Sequence, residues 1–230
     1  MEQAGIQESD GFIPAKESPL FTALFSCFSR WLFRFRFQQV WVHQQYQPRS
    51  GTSTLYYLNH SSWWDGLIPL LLNRYLFRQR GRAVMEEKQM KRYRFFKWLG
   101  TFSINPADRN HTLRSLRYAA ETLKRKNSAL YLYPEGKILP FSDNKPDFQR
   151  GIAWLCRQCP DMDIVPVGIY IHTMRSGRPE LHIWIGEPAG VVHGSSEQEL
   201  IETLETRLQA ILQNLKQTGG IDDSPYRKWM

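Results

Sequence analysis

The sequence TLYYLNHSSWWDG, residues 54–66, combines an apolar segment with a polar turn that carries an imidazole and a carboxylate. Thr54 to Leu58 is predicted to be a strand. His60 and Asp65 follow it five positions apart, so their side chains can meet across one turn. An aspartate that accepts the Nδ1 proton of a histidine fixes the tautomer and leaves Nε2 free to take a proton from a hydroxyl. The stretch predicts a general base with its orienting acid, and a structural histidine at a turn is the alternative.

Residues 130–137, LYLYPEGK, have the same arrangement. An apolar strand is followed by a Pro-Glu-Gly turn, which again carries an ionisable side chain, Glu135. In open α/β sheets, sites are built at the carboxyl ends of the strands. We therefore expect the two turns to converge on one crevice.

Strand-like and helix-like segments alternate along the rest of the chain. Strands are predicted at 40–43, 54–58, 83–85, 102–104, 129–133, 164–170 and 181–185, and helices at 65–77, 88–99, 112–126, 148–157 and 197–216. This alternation predicts an α/β fold with a largely parallel central sheet flanked by helices. The length of 230 residues suits one such domain, at 38–218, with appendages at 1–37 and 219–230.

Four motifs in order resemble those of the glycerolipid acyltransferase family, whose members acylate lysophosphatidic acid and glycerol 3-phosphate. The family's first motif is Asn-His-x-x-x-x-Asp and its third is Phe-Pro-Glu-Gly-Thr-Arg. Here the four stand as Asn59-His60 with Asp65, then Gly100 to Asn105, Tyr133 to Ile138, and Ile164 to Ile169. The resemblance covers about residues 40–190. It implies an acyltransferase-like fold in phospholipid biosynthesis, with acyl-CoA or an acyl carrier protein thioester as co-substrate, no other cofactor and no metal.

The resemblance also assigns roles to individual residues. It implies that His60 and Asp65 are catalytic, and that Asn59, Glu135 and Gly136 belong to the substrate site. The expected reaction moves a fatty acyl group to a hydroxyl of a lysophospholipid-type membrane lipid, as 1-acylglycerol-3-phosphate O-acyltransferases do. Two alternatives stay open: Glu135 as a surface turn residue, and a serine nucleophile at position 61 or 62. Neither serine lies in a Gly-x-Ser-x-Gly elbow, and capping of the next helix is the simpler role for them.

Two departures from the family pattern concern the phosphate of the acceptor. Pro106 and Ile138 stand where the family has phosphate-binding arginines. Arg109, Lys137 and Arg150 could substitute for them or be ordinary surface charges, and a lysine is not equivalent to an arginine as a phosphate ligand. The same chemistry on a neutral glycolipid or isoprenoid-type acceptor is therefore an alternative. A non-catalytic lipid-binding protein is a further one, although it would make the His60 and Asp65 pair a coincidence.

An amphipathic helix is predicted near the N terminus, after a loose tail at 1–17. Its apolar residues recur at three- and four-residue intervals: Leu20, Phe21, Leu24, Phe25, Phe28, Trp31, Leu32 and Phe35. Arg30, Arg34 and Arg36 lie among them. Aromatic residues with nearby arginines favour a helix lying in a membrane interface. A helix that packs on the core is the alternative.

Charge and cysteine content limit the remaining classes. The net charge of +8 favours anionic partners, but it is dispersed and no nucleic-acid-binding motif occurs, so we expect no nucleic acid partner. Three cysteines favour a reducing compartment. Cys156 and Cys159 have zinc-ribbon or redox spacing, but the second cysteine pair that a zinc site would need is missing. No uncharged apolar run of about 18 residues occurs, and the first 19 residues are mixed and acidic, so we expect neither a membrane-spanning helix nor a cleavable signal peptide. We expect a cytoplasmic protein, peripheral to the inner face of the membrane.

Overall fold

The computed structural model describes residues 11–190 and 194–230. Its centre is one eight-stranded sheet in the order β4-β3-β5-β2-β6-β7-β1-β8. The strands are β1 Gln39–Gln44, β2 Thr54–Leu58, β3 Arg80–Glu86, β4 Thr101–Ile104, β5 Ser128–Leu132, β6 Asp163–His172, β7 Glu180–Ile185 and β8 Arg227–Lys228. Within the described ranges, β7 pairs antiparallel with β6, and β8 with β1, whereas the other neighbours are parallel. The predicted α/β class with a largely parallel sheet is confirmed.

Helices cover both faces of this sheet. They are α1 Pro19–Arg36, α2 Ile68–Leu72, α3 Glu87–Arg92, α4 Arg109–Leu123, α5 Gly151–Gln158 and α6 Glu197–Thr218. Side chains of α4, α5 and α6 share one buried cluster with one face, and those of α1, α2 and α3 share a second cluster with the other. All five residues of β2 are buried, because this strand lies between β5 and β6 with helices on both sides.

Two predicted helices are interrupted. The segment predicted as one helix at 65–77 is a 3₁₀ turn, Trp63–Leu67, then α2, then a π-helical turn, Asn73–Phe77. The 3₁₀ turn forms because Ser62 and Asp65 cap it reciprocally. The segment at 88–99 divides at Tyr93 into α3 and a second 3₁₀ turn, Arg94–Leu99, because the backbone of Tyr93 is not helical.

The prediction of loose chain ends is wrong where the structure describes them, and residues 1–10 lie outside its described part. Near the N terminus, Ile13 exchanges hydrogen bonds with Ser103 on the outer strand β4, and Phe12 packs edge-on against Tyr118. At the C terminus, β8 pairs with β1 and Tyr226 is buried. Each segment covers a sheet edge whose backbone groups would otherwise lack partners.

The helix α1 divides its apolar residues between the core and the surface. Phe33 is fully buried, and Phe21 and Phe25 contact Trp98 and Phe95 of the second 3₁₀ turn. The outer residues have side chains that are 52–73% exposed: Leu20, Leu24, Phe28, Trp31 and Phe35. We call these five residues the outer stripe. The core-packing interpretation therefore holds for one side of this helix, and the membrane-interface interpretation of the exposed side stays a prediction.

Candidate active site

His60 and Asp65 form a hydrogen-bonded pair at the carboxyl end of β2. The distance from His60 Nδ1 to Asp65 Oδ2 is 3.1 Å. Because a carboxylate only accepts, this contact selects the tautomer of the neutral imidazole in which Nδ1 carries the proton and Nε2 has the lone pair. The Asp65 side chain is fully buried, whereas that of His60 is 20% exposed. The imidazole is thus held from inside the protein and open to a ligand from outside.

The Asp65 carboxylate is fixed by its own turn. Its Oδ2 accepts the backbone N–H groups of Ser61 and Ser62 at 2.6 and 2.7 Å, and its Oδ1 accepts the Ser62 hydroxyl at 3.0 Å. The Ser62 hydroxyl oxygen also accepts the backbone N–H of Trp64. The capping role expected for this serine is confirmed, and it leaves the hydroxyl bound on both sides.

Tyr133, the residue directly after β5, supports the pair and is not among the predicted site residues. Its ring stacks on the His60 ring with centroids 4.3 Å apart, and its hydroxyl donates to the Asp65 backbone carbonyl at 2.6 Å. Burial and the Asp65 charge raise the pKa of Tyr133, so the hydroxyl remains a donor. The family motif has Phe at this position. The replacement of Phe by Tyr is the only feature of the sequence that could have indicated the hydrogen bond to Asp65.

Glu135 and His60 line one cleft of about 220 Å³, as the strand-end argument predicts. Gly136 turns the chain at φ +69°, a conformation that favours glycine. Burial raises the pKa of the Glu135 carboxyl, although the Asp147 backbone amide and the Lys137 charge oppose the shift.

The other wall of the cleft comes from a segment without regular structure, residues 139–147. Leu139 N–H donates to the His60 carbonyl, and the Phe141 ring packs on Tyr170 of β6. Two ionisable groups of this segment line the cleft, Asp147 and Lys145. The Lys145 ammonium lies 3.4 Å from Glu205 and 3.5 Å from Glu202. Residues 139–147 have no periodic hydrophobic pattern, so sequence reasoning does not predict this wall.

The predicted substrate residues are dispersed. Asn59 lines the cleft, but its side-chain amide forms hydrogen bonds with both backbone groups of Ile169 on β6, at 2.8 and 2.9 Å. It thereby joins the end of β2 to β6. Lys137 is exposed beside Glu135. Arg109 begins α4, which follows the outer strand β4, three positions from β2 in the sheet, and it does not line the cleft. Substrate binding by these residues stays a prediction.

Arg150, the third suggested phosphate ligand, lies outside the cleft. It precedes α5, and its guanidinium lies 3.5 Å from the Glu197 carboxylate with an 88% exposed side chain. It does not line the cleft. The cleft is therefore lined by two carboxylates, Glu135 and Asp147, and by one ammonium group, Lys145. That ammonium group already contacts two glutamates outside the cleft.

A larger cavity, of about 680 Å³, lies on the other face of the sheet between α2 and β3. It is lined by Arg74, Arg78 and Arg80 among others, and by none of the predicted site residues. Size alone would favour it as the active site. The smaller cleft is the better candidate because it contains an oriented imidazole.

The cysteine pair does not form an exposed reactive site. Cys156 and Cys159 are free and buried at the end of α5. Burial raises the pKa of Cys156 to about 12 and also raises that of Cys159, which disfavours the thiolates that metal binding and redox exchange need. One group of potential metal ligands occurs elsewhere in the described chain, at His172, Glu180 and His182.

Comparisons with known proteins agree with the geometry. An Acyltransferase family model matches residues 39–170, more than half of the chain. The search of curated proteins found no match to this chain. The crystal structure of the 1-acyl-sn-glycerophosphate (LPA) acyltransferase PlsC from Thermotoga maritima is similar in fold, with a TM-score of 0.63 and 19% identity, over 86% of this chain and 81% of that one. The chain therefore belongs to the acyltransferase family, as its motifs indicated, and is an acyltransferase.

Proposed function

We propose that the protein moves a fatty acyl group from a thioester, acyl-CoA or acyl carrier protein, to a hydroxyl of a lysophospholipid-type acceptor, with His60 as general base. The observation that carries this proposal is the His60 and Asp65 pair, which lies in one cleft with Glu135. The similarity in fold to an LPA acyltransferase supports the choice of acceptor. No metal or other cofactor has a part in the proposed reaction.

The proposed chemistry uses both nitrogens of the His60 ring. Nε2 takes the hydroxyl proton while the oxygen attacks the thioester carbonyl, and the imidazolium returns that proton to the sulfur as the carbon–sulfur bond breaks. Asp65 holds the Nδ1 proton and offsets the charge that develops on the ring. A well-placed general base contributes about 10²- to 10⁴-fold to the rate.

A neutral acceptor is a second candidate, because the charges around the cleft favour it. Glu135 and Asp147 line the cleft, while the two arginine positions of the family are Pro106 and Ile138. A phosphate would meet carboxylates there without a guanidinium, and unpaired like charges in a part-buried site are unfavourable. A polyol or sugar headgroup could instead donate hydroxyl groups to these carboxylates.

The decisive experiment is an acyl-transfer assay on wild type, His60→Ala and Ser61→Ala. Both thioester donors are tested against lysophosphatidic acid, a neutral monoacylglycerol and a glycolipid. We expect transfer to fall by about 10²- to 10⁴-fold in His60→Ala and to persist in Ser61→Ala. Unfolding curves establish that both variants fold.

Other outcomes of the assay separate the alternatives. Unchanged transfer in His60→Ala would remove this residue as the base, and loss in a folded Ser61→Ala would favour a covalent serine mechanism. The preferred acceptor decides between the phosphate-bearing and the neutral substrate. Folded wild type with no transfer to any acceptor would contradict the proposed reaction.

We further propose that the enzyme is peripheral to the inner face of the membrane and binds it through α1. The outer stripe exposes five large apolar side chains, and Trp63, in the turn of the catalytic pair, is 57% exposed. Trp64 next to it packs edge-on against Phe33 of α1, which connects the helix to the active-site turn. Exposed Arg34 and Arg36 could contact anionic headgroups. No described helix is long and apolar enough to cross a bilayer.

Vesicle sedimentation tests this part of the proposal. The double variant Trp31→Ser, Phe35→Ser should bind anionic vesicles more weakly, because each large apolar side chain contributes about 1.5–3 kcal/mol when it leaves water. Ile221→Ser is the matched control, since Ile221 is 69% exposed outside α1. Equal binding by the double variant and the control would contradict the role of the outer stripe.

A further inference from the structure

The β6–β7 hairpin brings two histidines and a glutamate together on one face. The strand register pairs His172 with Glu180 and Tyr170 with His182. Directly paired residues of an antiparallel pair share a face, and so do residues two apart on one strand. We infer that His172, Glu180 and His182 form a binding site for a divalent transition metal, with Zn²⁺ the best match to the ligands.

The separation of the two histidine nitrogens fits one tetrahedral ion. His172 Nε2 and His182 Nδ1 are 3.2 Å apart, and the ligand atoms of all three residues lie within 4.8 Å of one another. Two imidazole nitrogens at about 2.0–2.1 Å from one Zn²⁺ are about 3.3 Å apart in tetrahedral geometry. Small side-chain rotations would place the ion between the rings and the carboxylate. Two imidazoles and one carboxylate are a common zinc ligand set.

A surrounding layer orients these ligands. Asp223 Oδ1 lies 3.4 Å from His182 Nε2 and can accept a hydrogen bond from it, so that the Nδ1 lone pair of His182 faces the site. A carboxylate on the outer nitrogen of a metal-binding histidine is a frequent arrangement. Trp41 Nε1 donates to Glu180 Oε2 at 2.8 Å and fixes that side chain.

The charges of the cluster leave room for a cation. Arg175 contacts both carboxylates, at 2.5 Å to Glu180 Oε2 and 2.6 Å to Asp223 Oδ2. With both histidines neutral, two carboxylates face one guanidinium, a net charge of −1. A buried net charge is costly unless it is paired. A bound Zn²⁺ would offset it.

Metal binding needs one proton to move. Without metal, Nδ1 of His172 accepts the Met174 N–H at 3.4 Å, so its Nε2 is protonated and donates to His182. To bind the ion through Nε2, neutral His172 must carry its proton on Nδ1. The long Met174 contact is then lost, and no net proton is released.

The site would fasten the C-terminal segment to the sheet. Asp223 comes from that segment, and Gly220 lies so close that an added Cβ would be 2.5 Å from His172 Cε1. Tyr170 connects the site to the cleft, since its ring contacts His172 on one side and Phe141 on the other. The expected role is structural, because the imidazoles are buried and outside the cleft.

Metal content and metal-linked stability test this inference on the full chain without an affinity tag. After treatment with a chelator, wild type, His172→Gln, His182→Gln and His43→Gln are dialysed against Zn²⁺ or Co²⁺, and bound metal is measured by mass spectrometry. His43 is the matched control: it is an intermediate-exposure histidine whose Nδ1 donates to the Pro225 carbonyl, outside the ligand set.

We expect about one ion per chain in wild type and His43→Gln, tetrahedral Co²⁺ absorption bands, and a higher melting temperature with Zn²⁺. Both ligand variants should lose the ion and the thermal shift while their metal-free melting curves remain cooperative. Wild type that binds no metal, or equal binding by all four proteins, would overturn the inference. A ligand variant that does not fold is replaced by Glu180→Gln, with the same two expected results.

Discussion

Two groups of histidines, near the carboxyl ends of β2 and β6, differ in how they contact their carboxylates. His60 contacts Asp65 within one turn, and its side chain is 20% exposed at a cleft. His182 meets His172 across a hairpin and Asp223 from the C terminus, and its side chain is fully buried. The exposed imidazole can exchange a proton with a ligand. The buried one can only titrate against its neighbours or bind an ion.

Burial also separates the two arrangements electrostatically. Desolvation and the neighbouring His172 lower the pKa of His182 from 6.5 to about 4. A histidine kept neutral inside the protein is a poor acceptor for a substrate proton but a good metal ligand. The difference between the two regions is thus a difference of solvent access more than of residue type.

The largest expected effect is on the exposed pair, through Asp65→Asn. The amide cannot offset the charge of the imidazolium, and it can present N–H groups to the donors that now bind the carboxylate. We expect kcat/KM for acyl transfer to fall by about 10²- to 10⁴-fold. Asp161→Asn, the same change at an exposed position, is the control. Equal activity of the two variants would mean that the carboxylate does not act through His60.

The buried pair should instead control the stability at acid pH. The folded pKa of His182 lies below its unfolded value, so the unfolded chain binds the extra proton between pH 6.5 and about pH 4. The stabilisation is complete above that window and is lost as the pH falls through it, by about 3 kcal/mol. His172 faces the same site, and burial lowers its pKa as well, so it contributes to the same loss. Against the effect of burial, hydrogen bonds from Arg175 lower the pKa values of Glu180 and Asp223, so both carboxylates favour their charged form.

Urea unfolding with EDTA present measures this effect. Wild type should lose more free energy of unfolding between pH 7 and pH 4 than His182→Gln does. Parallel pH profiles for the two proteins would show that His182 is already charged in the folded state, and would remove the contrast with the exposed pair.

The smallest expected effect concerns the hydroxyl that supports His60. Tyr133→Phe keeps the ring on the imidazole but removes the hydrogen bond to the Asp65 carbonyl, at a cost of about 1 kcal/mol in unfolding free energy. Transfer should slow modestly, with kcat more affected than KM. Tyr57→Phe is the matched control, because the Tyr57 hydroxyl is buried and has no hydrogen-bond partner in the described chain. Equal losses in both would contradict a positioning role for Tyr133.

Much of the fold could be predicted because its signals are local. The strand predicted at 54–58 coincides with β2, and the helix predicted from 197 begins there as α6. The helix interruptions near Asp65 and at Tyr93 could not be predicted, because hydrophobic periodicity does not indicate caps or single non-helical residues. The chain ends were misjudged because their contacts are with residues distant in sequence: Phe12 packs on Tyr118 of α4, and β8 pairs with β1.

The residues of the candidate site likewise fall into those that local sequence predicts and those that depend on tertiary contacts. His60, Asp65 and Glu135 follow apolar strands directly, so their meeting could be expected from the rule on strand ends. Arg109 could not be placed, because its distance from the cleft depends on the order of strands in the sheet. Residues 139–147 carry no periodic pattern, and their position over the cleft depends on contacts with β6 and α6.

The sequence by itself determined the α/β class, the acyltransferase motifs and the pairing of His60 with Asp65, because each depends on periodicity or on spacing within one turn. Only the tertiary structure decided that the cleft is lined by carboxylates, that one side of α1 is exposed, and that His172, Glu180 and His182 share a face. These features depend on strand order and register. A shift of one residue in register would turn every side chain of a strand to the opposite face, and hydrophobic pattern alone does not assign a partner strand.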